Sequence, residues 1–264
     1  MNIFWHEIKA NRKSLLVWSA VMVLLVLTAV AKFSAFHNNP ESLAILDSIP
    51  KSVLDGMNMR AFNLVKLDGF FGVVFSYFSL MGAMAAAMWG SESIAREERD
   101  KTVEFSLVLP ITRSKLVTAK LLAALVNCVL FVLITWGASA LSARAYQPDA
   151  GFYKFLGQEM AAMFLIELVF LAMGVLLGCV LKKYKLAGSM AISIILTAYV
   201  LFVVSRMHEK LDVLRFVTPF RYFDAADFYK TGRFEPVYLA LSAGIIVVCL
   251  AAAYLVYARR DMMI

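Results

Sequence analysis

Charged residues are scarce in this sequence. Asp, Glu, Lys and Arg make up 17% of its 264 residues, and 61% are hydrophobic, whereas soluble domains are about a quarter charged. This balance excludes a disordered chain and argues against a soluble enzyme. The three cysteines lie inside apolar runs with neither metal-ligand nor disulfide-scaffold spacing. We interpret Cys128, Cys179 and Cys249 as buried free thiols.

Phosphate-binding and catalytic motifs are also missing from the sequence. No G-x-x-x-x-G-K-[ST] loop occurs, so the chain itself has no P-loop for ATP. The histidines His6, His37 and His208 are scattered, which argues against a metal centre or a catalytic base. An intramembrane protease is the enzyme alternative suggested by Glu97-Glu98, but Thr102 stands where that motif needs arginine. We therefore predict no catalytic residues, no metal and no cofactor bound by this chain.

Six long apolar runs account for the composition. Each is close to the roughly 20 residues that cross an apolar layer about 30 Å thick. They predict an all-α, polytopic integral membrane protein with one transmembrane domain over residues 1–264. The predicted spans are residues 14–31, 70–91, 121–143, 160–181, 186–205 and 236–258. A cleaved secretory signal is the alternative for the first run, whose apolar stretch is longer than the ~7–15 residues usual in signals.

Basic residues set the predicted orientation. The net charge is +7, but no basic stripe with interleaved aromatics indicates nucleic-acid binding. The clusters Arg12-Lys13, Lys182-Lys183 and Arg259-Arg260 touch span ends on one side of the predicted membrane. The positive-inside rule assigns that side to the cytoplasm. We therefore predict a plasma-membrane protein, surrounded by lipid, with both termini in the cytoplasm.

The first residues predict a short amphipathic helix. Phe4, Trp5 and Ile8 recur at helical spacing, and Glu7 and Asn11 lie mostly on the other side. We expect a separate helix in the plane of the lipid headgroups, ahead of the first span. A frayed basic terminus is the alternative.

The loop over residues 92–120 is longer than a simple helical hairpin needs. A mixed-charge stretch is followed by an apolar-rich run that Pro110 ends, because proline disfavours helix continuation. The pattern predicts a separate cytoplasmic helix of about two turns over residues 102–109. Its Val, Phe and Leu side chains suit a groove on a partner protein. A cap packed under the chain's own bundle is the alternative.

The motif in this loop carries a family resemblance. Residues 102–120 contain Thr-x-Glu-Phe-x-Leu-x-Leu-Pro-Ile-x-Arg-x-Lys followed by Lys120, which resembles the coupling-helix loop of ABC-2-type ABC-transporter permeases. The resemblance implies a membrane subunit, commonly of an exporter, that pairs with a second copy or a homologous permease. It also implies two separate ATPase subunits that bind the ATP. The residues it assigns to ATPase coupling are Thr102, Glu104, Phe105, Leu107, Leu109, Pro110 and Arg113.

Glu167 is the one charged residue inside the predicted spans. An ionisable group at that depth is costly, so it is a candidate for the transport pathway. A neutral Glu bonded to a neighbouring helix, or a span that begins later, is the alternative. No second intramembrane ionisable group supports a proton relay. An autonomous channel or secondary transporter remains the alternative function.

Small residues and loop aromatics complete the predictions. Residues 82–90 and the pair Gly174 and Gly178 permit close helix approach, within one chain or at a dimer seam. The loop over residues 206–235 is rich in aromatics, which predicts short helices that cap the outer mouth of the bundle. Residues 32–69 predict one more short surface helix.

Overall fold

A computed structural model describes residues 3–37, 39, 48–99, 112–181, 184–207 and 209–259. Helices are the regular secondary structure of these residues, and no strand occurs among them. Six helices are long and apolar enough to cross a membrane, which confirms the predicted all-α, six-span class. In chain order the helices are α1 (Ile3–Phe33), α2 (Lys51–Gly56), α3 (Leu67–Arg99), α4 (Arg113–Ala143), α5 (Ala150–Val180), α6 (Tyr184–Met207), α7 (Pro219–Tyr222), α8 (Ala225–Thr231) and α9 (Pro236–Arg259).

Several helix ends follow from local capping chemistry. Asp149 accepts a hydrogen bond from the backbone N–H of Phe152 at 2.8 Å, which caps the start of α5. Thr112 caps α4 in the same way, by accepting from Lys115. Helix α8 ends at Gly232, whose φ of 68° lies in the left-handed region that glycine adopts without strain. The short side chains at these positions therefore fix where the chain turns.

The N-terminal residues correct one prediction. Residues 3–13 continue directly into the first span as part of α1, without a separate interfacial helix. The helical periodicity is confirmed, and Trp5 is exposed. Glu7 and Asn11, however, are only 3% and 2% exposed, since both pair with side chains of other helices. The polar face therefore docks on the bundle, and this keeps the segment in line with α1.

Helices α3 and α5 form the largest helix–helix contact among the described residues. Small residues bring their backbones together. A Cβ on Gly174 would lie 2.3 Å from the carbonyl oxygen of Ala87, and one on Gly90 would lie 2.6 Å from that of Leu171. The small residues thus serve packing within the chain.

The remaining long helices are less enclosed. In the most apolar 18-residue stretch of each helix, the buried share is 28% for α1, 22% for α6 and 11% for α9. Their exposed side chains are large and apolar, for example Leu24, Val200 and Val248. In a membrane these faces meet lipid or another membrane helix.

The bundle has two distinct ends. We call the end where α1 begins and α9 finishes the terminal end, and the opposite end the far end. The predicted short helices of residues 206–235 are confirmed at the far end as a 3-10 helix (Glu209–Phe216), α7 and α8. Their rings pack together, with Phe228 and Phe234 centroids 5.4 Å apart. Helix α2 is the short helix expected in residues 32–69.

Candidate coupling site at the terminal end

The described residues that flank the predicted coupling segment lie at the terminal end. Thr102, Glu104, Phe105, Leu107, Leu109 and Pro110 lie outside the described residues, so their predicted role stays a prediction. The structure describes both flanks, where α3 ends at Arg99 and α4 begins at Arg113. The geometry of these flanks therefore defines the candidate site.

Arg113 joins the start of α4 to the end of α9. Its Nη1 donates to the carbonyl oxygens of Tyr257 at 3.4 Å and Ala258 at 3.2 Å. These carbonyls belong to the last turn of α9, where backbone acceptors lack helical partners and the helix dipole favours a cation. A second link one turn away joins the hydroxyls of Thr118 and Tyr254 at 2.7 Å. The predicted coupling residue Arg113 thus fastens two helices together.

A buried ionic network joins α1, α3 and α4 at the same end. Oε1 of Glu7 lies 2.9 Å from Nζ of Lys120, and Oε2 lies 2.9 Å from Nη1 of Arg96. Nζ of Lys120 also donates to the carbonyl oxygen of Ser93 at 2.6 Å. Arg96 donates a further hydrogen bond to the side-chain oxygen of Asn11. We call Glu7, Asn11, Arg96 and Lys120 the anchor network.

The anchor network is shielded from solvent. The Lys120 side chain is fully buried, and those of Glu7 and Arg96 are 4% and 14% exposed. A buried charge is tolerated only when a partner and further hydrogen bonds compensate its desolvation. Glu7 compensates two cations with its two oxygens, so moving one of the three helices strains the whole group. The network therefore links α1, α3 and α4 to one another beside the predicted coupling segment.

Sequence reasoning found only part of this site. Lys120 was named as a match to the family motif, and Glu7 and Asn11 as the polar face of a helix. Their meeting was not predicted, because the contacting residues are 113 apart for Glu7 and Lys120. Glu7 and Asn11 are spaced i, i+4 and therefore share one face of the helix. Basic residues lie near the ends of two other predicted spans, and these two observations together were the available signal for an ionic contact.

Glu167 lies inside the bundle, as predicted. It is fully buried on α5, with the Cys128 thiol of α4 beside it. Its Oε1 would lie 2.8 Å from a Cβ added to Gly82 of α3. Glu159, two turns earlier on α5, is also fully buried and was missed, because the fourth span was predicted to begin at residue 160. Neither oxygen of Glu159 has a hydrogen-bond partner among the described residues.

The described residues include no group of three or more His, Cys, Asp or Glu side chains placed to hold a metal ion. Cys128 and Cys179 are buried and Cys249 is half-buried, and all three are free thiols. The described residues at the terminal end bring together charged side chains and backbone carbonyls. The chemistry of this site is ionic anchoring.

The family comparison agrees with this arrangement. The family model described as ABC-2 family transporter protein matches residues 1–262. No curated protein matches the chain. Six helices long and apolar enough to cross a membrane fit such a protein. The chain therefore belongs to the ABC-2 family of transporter proteins, and it is a multi-pass permease of the ABC-transporter type.

Proposed function

We propose that this chain is the translocation subunit of an ATP-driven exporter in the plasma membrane. Residues 1–264 form one permease domain that pairs with a second copy or a homologous permease. Two separate ATPase subunits bind and hydrolyse the ATP, and both termini face them in the cytoplasm. The family match over residues 1–262 and the lack of a phosphate-binding loop in the sequence support this division of labour.

The anchor network is the observation that carries the proposal. Helix α3 ends before the coupling segment, residues 102–109, and helix α4 begins after it. Glu7 ties both of them to α1 through Arg96 and Lys120, and Arg113 ties α4 to α9. A push on the coupling segment is therefore passed to four of the six long helices together.

The proposed cycle uses this linkage. Closure of the ATPase subunits on ATP displaces residues 102–109, and the anchored helices move as a unit. The bundle then changes which side of the membrane it opens to, so that nucleotide binding shifts a conformational equilibrium. Glu167 remains the candidate pathway residue, because it faces the junction of α3, α4 and α5, where such a movement changes the packing.

The coupling role can be tested on the segment itself. Phe105→Asp and Leu107→Asp are expected to abolish co-purification with the ATPase subunit and ATP-dependent transport, because each puts a charge into an apolar contact. Ser106→Asp adds the same charge between them, at a position that is already polar, and is the matched control. It is expected to retain assembly.

Two results would contradict the proposal. Normal assembly and ATP-dependent transport by both Phe105→Asp and Leu107→Asp would show that the segment does not couple the ATPase to transport. Transport by the purified chain alone, reconstituted in vesicles without an ATPase, would indicate an autonomous channel or secondary transporter.

A further inference from the structure

A polar cavity of about 410 Å³ opens at the far end of the bundle. It lies between the region of α2, the last turn of α6 and the short helices α7 and α8. Its volume is in the range of small-ligand sites, about 300–1,000 Å³. Its ionisable wall residues are Asp55, Arg206, Arg221, Asp224, Asp227 and Lys230.

Asp224 organises one wall of this cavity. Its Oδ1 accepts from Nδ2 of Asn58 at 2.7 Å, and its Oδ2 lies 3.2 Å from Nε of Arg206 and 3.3 Å from Nη1 of Arg221. Arg221 also pairs with Asp227. Burial opposes the charge on Arg221, but Asp224 and Asp227 together raise its pKa. Arg221 is therefore already neutralised by the protein.

Arg206 is placed differently. Its side chain is 10% exposed, and its guanidinium lies 5.2 Å from the ring centroid of Phe202. Its ion pair with Asp224 is made through Nε. Arg206 lines the cavity, and it contacts Asp224 through this ion pair and the ring of Phe202. A guanidinium has five N–H donors, so Arg206 can pair with Asp224 and still donate to an acceptor from outside the chain.

Other wall groups match an anionic ligand with a polar tail. Lys230, in the last turn of α8, has no ion-pair partner among the described residues. The side-chain oxygen of Asn58 is buried and likewise lacks a partner in the described part of the chain. The cavity thus offers a guanidinium fork and an ammonium group, the pair of donors that suits a phosphate.

We propose that this cavity binds a phosphate-bearing ligand through Arg206 and Lys230. Arg206 lies in the last turn of the candidate span Leu186–Met207, which is the depth of lipid headgroups. The phosphate can come from the headgroup of a phospholipid or from a soluble phosphate ester. The site lies at the end opposite the anchor network, and the proposal does not depend on ATPase coupling.

The test is a binding titration on the purified full chain in detergent, followed by native mass spectrometry. The probes are phosphatidylethanolamine and diacylglycerol with the same acyl chains but no phosphate. Arg206→Gln is expected to weaken phosphatidylethanolamine binding roughly tenfold, the usual effect of losing charged hydrogen bonds. Lys230→Gln, at an exposed position, is expected to weaken it severalfold. Arg233→Gln removes the same charge from an exposed residue of the same loop and is expected to change nothing.

A second variant separates binding from folding. Arg206→Lys keeps a cation beside Asp224 but loses the fork, so it is expected to retain the wild-type melting temperature and to bind as weakly as Arg206→Gln. Two soluble competitors, glycerophosphoethanolamine and inorganic phosphate, identify the source of the phosphate. Displacement at concentrations near the lipid's Kd assigns a soluble ester, and no displacement assigns the lipid headgroup.

Three outcomes overturn the proposal. Equal binding of diacylglycerol and phosphatidylethanolamine would show that phosphate is not recognised. An equal loss in Arg233→Gln would show only general attraction to a basic loop. Wild-type binding by Arg206→Lys and Lys230→Gln together would show that the cavity residues do not hold the ligand.

Discussion

Glu7 is the single acid of the anchor network, and it faces two cations. Its 2.9 Å contacts to Lys120 and Arg96 compensate charges that water reaches poorly. Removing one partner of a buried ion pair lowers the free energy of unfolding by much more than the intact pair contributes to it, because the other charge is left buried without a partner.

Glu7→Gln is therefore expected to destabilise the protein by about 3–5 kcal/mol, because it leaves Lys120 buried without a counter-charge. The double variant Glu7→Gln with Lys120→Met removes that orphan charge and is expected to recover a large part of the loss. Thermal unfolding in detergent of the two single variants and the double variant measures the coupling. Strictly additive losses would show that Glu7 and Lys120 do not interact.

Tyr229 illustrates a second residue-scale effect, at the far end. Its hydroxyl donates to Asp68 at 2.8 Å. Burial, together with this hydrogen bond and the nearby negative charge, raises the pKa of Tyr229 from 10.0 to about 12. Between those pH values the folded chain holds a proton that the unfolded chain has lost. Its contribution to stability is thus present below about pH 10 and is lost as the pH rises toward 12.

Tyr229→Phe cannot titrate, so its unfolding midpoint is expected to fall less steeply than that of the wild type between about pH 10 and pH 12. The other tyrosines are the same in both proteins, so their titration does not contribute to the difference between the two slopes. Parallel slopes for the two proteins would show that the contact with Asp68 does not raise the pKa of Tyr229 in the folded chain.

At the scale of helices, the contact between α3 and α5 is the core of the fold. It depends on backbone approach at glycines, which leaves no room for a methyl group. Not every glycine has this role, since a Cβ on Gly244 of α9 would meet nothing within 4 Å.

Gly174→Ala is expected to destabilise the protein by about 1–3 kcal/mol, since the new methyl group forces α3 and α5 apart. Gly244→Ala is the matched control and is expected to be neutral or stabilising by up to about 1 kcal/mol, since alanine favours helix. Melting temperatures of the two variants in the same detergent test this. A loss of similar size in both would place the effect in helix propensity instead of packing.

The helices themselves were largely predictable from the sequence, because runs of about 20 apolar residues have few alternative structures. The predicted spans lie within the observed helices apart from Leu181, but the ends differ. Helix α3 continues eight residues past the predicted end at residue 91, since residues beyond the apolar layer carry no hydropathy signal. Contacts between distant side chains, such as Asn58 with Asp224, leave no trace in a single sequence. The anchor network and the far-end cavity were therefore not predicted.

For the whole molecule, orientation in the membrane decides which partners each end can meet. In the proposed function, the anchor network and the coupling segment face the cytoplasm, where ATP is available, and the far-end cavity faces the other side of the membrane. This arrangement follows the clusters of basic residues near the predicted span ends.

Single-cysteine labelling tests the orientation. In a background without Cys128, Cys179 and Cys249, Arg233→Cys is expected to react with a membrane-impermeant maleimide in intact cells. Lys9→Cys, exposed at the terminal end, is expected to react only after the cells are permeabilised. The reverse pattern would place the termini outside and contradict the coupling proposal.

The distance in sequence between Glu7 and Lys120 has a consequence for biosynthesis. The first helix leaves the ribosome with its carboxylate, and the lysine follows 113 residues later. At about 5–20 residues per second, Lys120 is synthesised about 6–23 s after Glu7. Arg96 follows Glu7 by 89 residues, so the nascent α1 carries a carboxylate with neither cation for most of that interval. The contacts of Glu7 in the bundle can therefore be complete only after α4, the third long helix, has been synthesised.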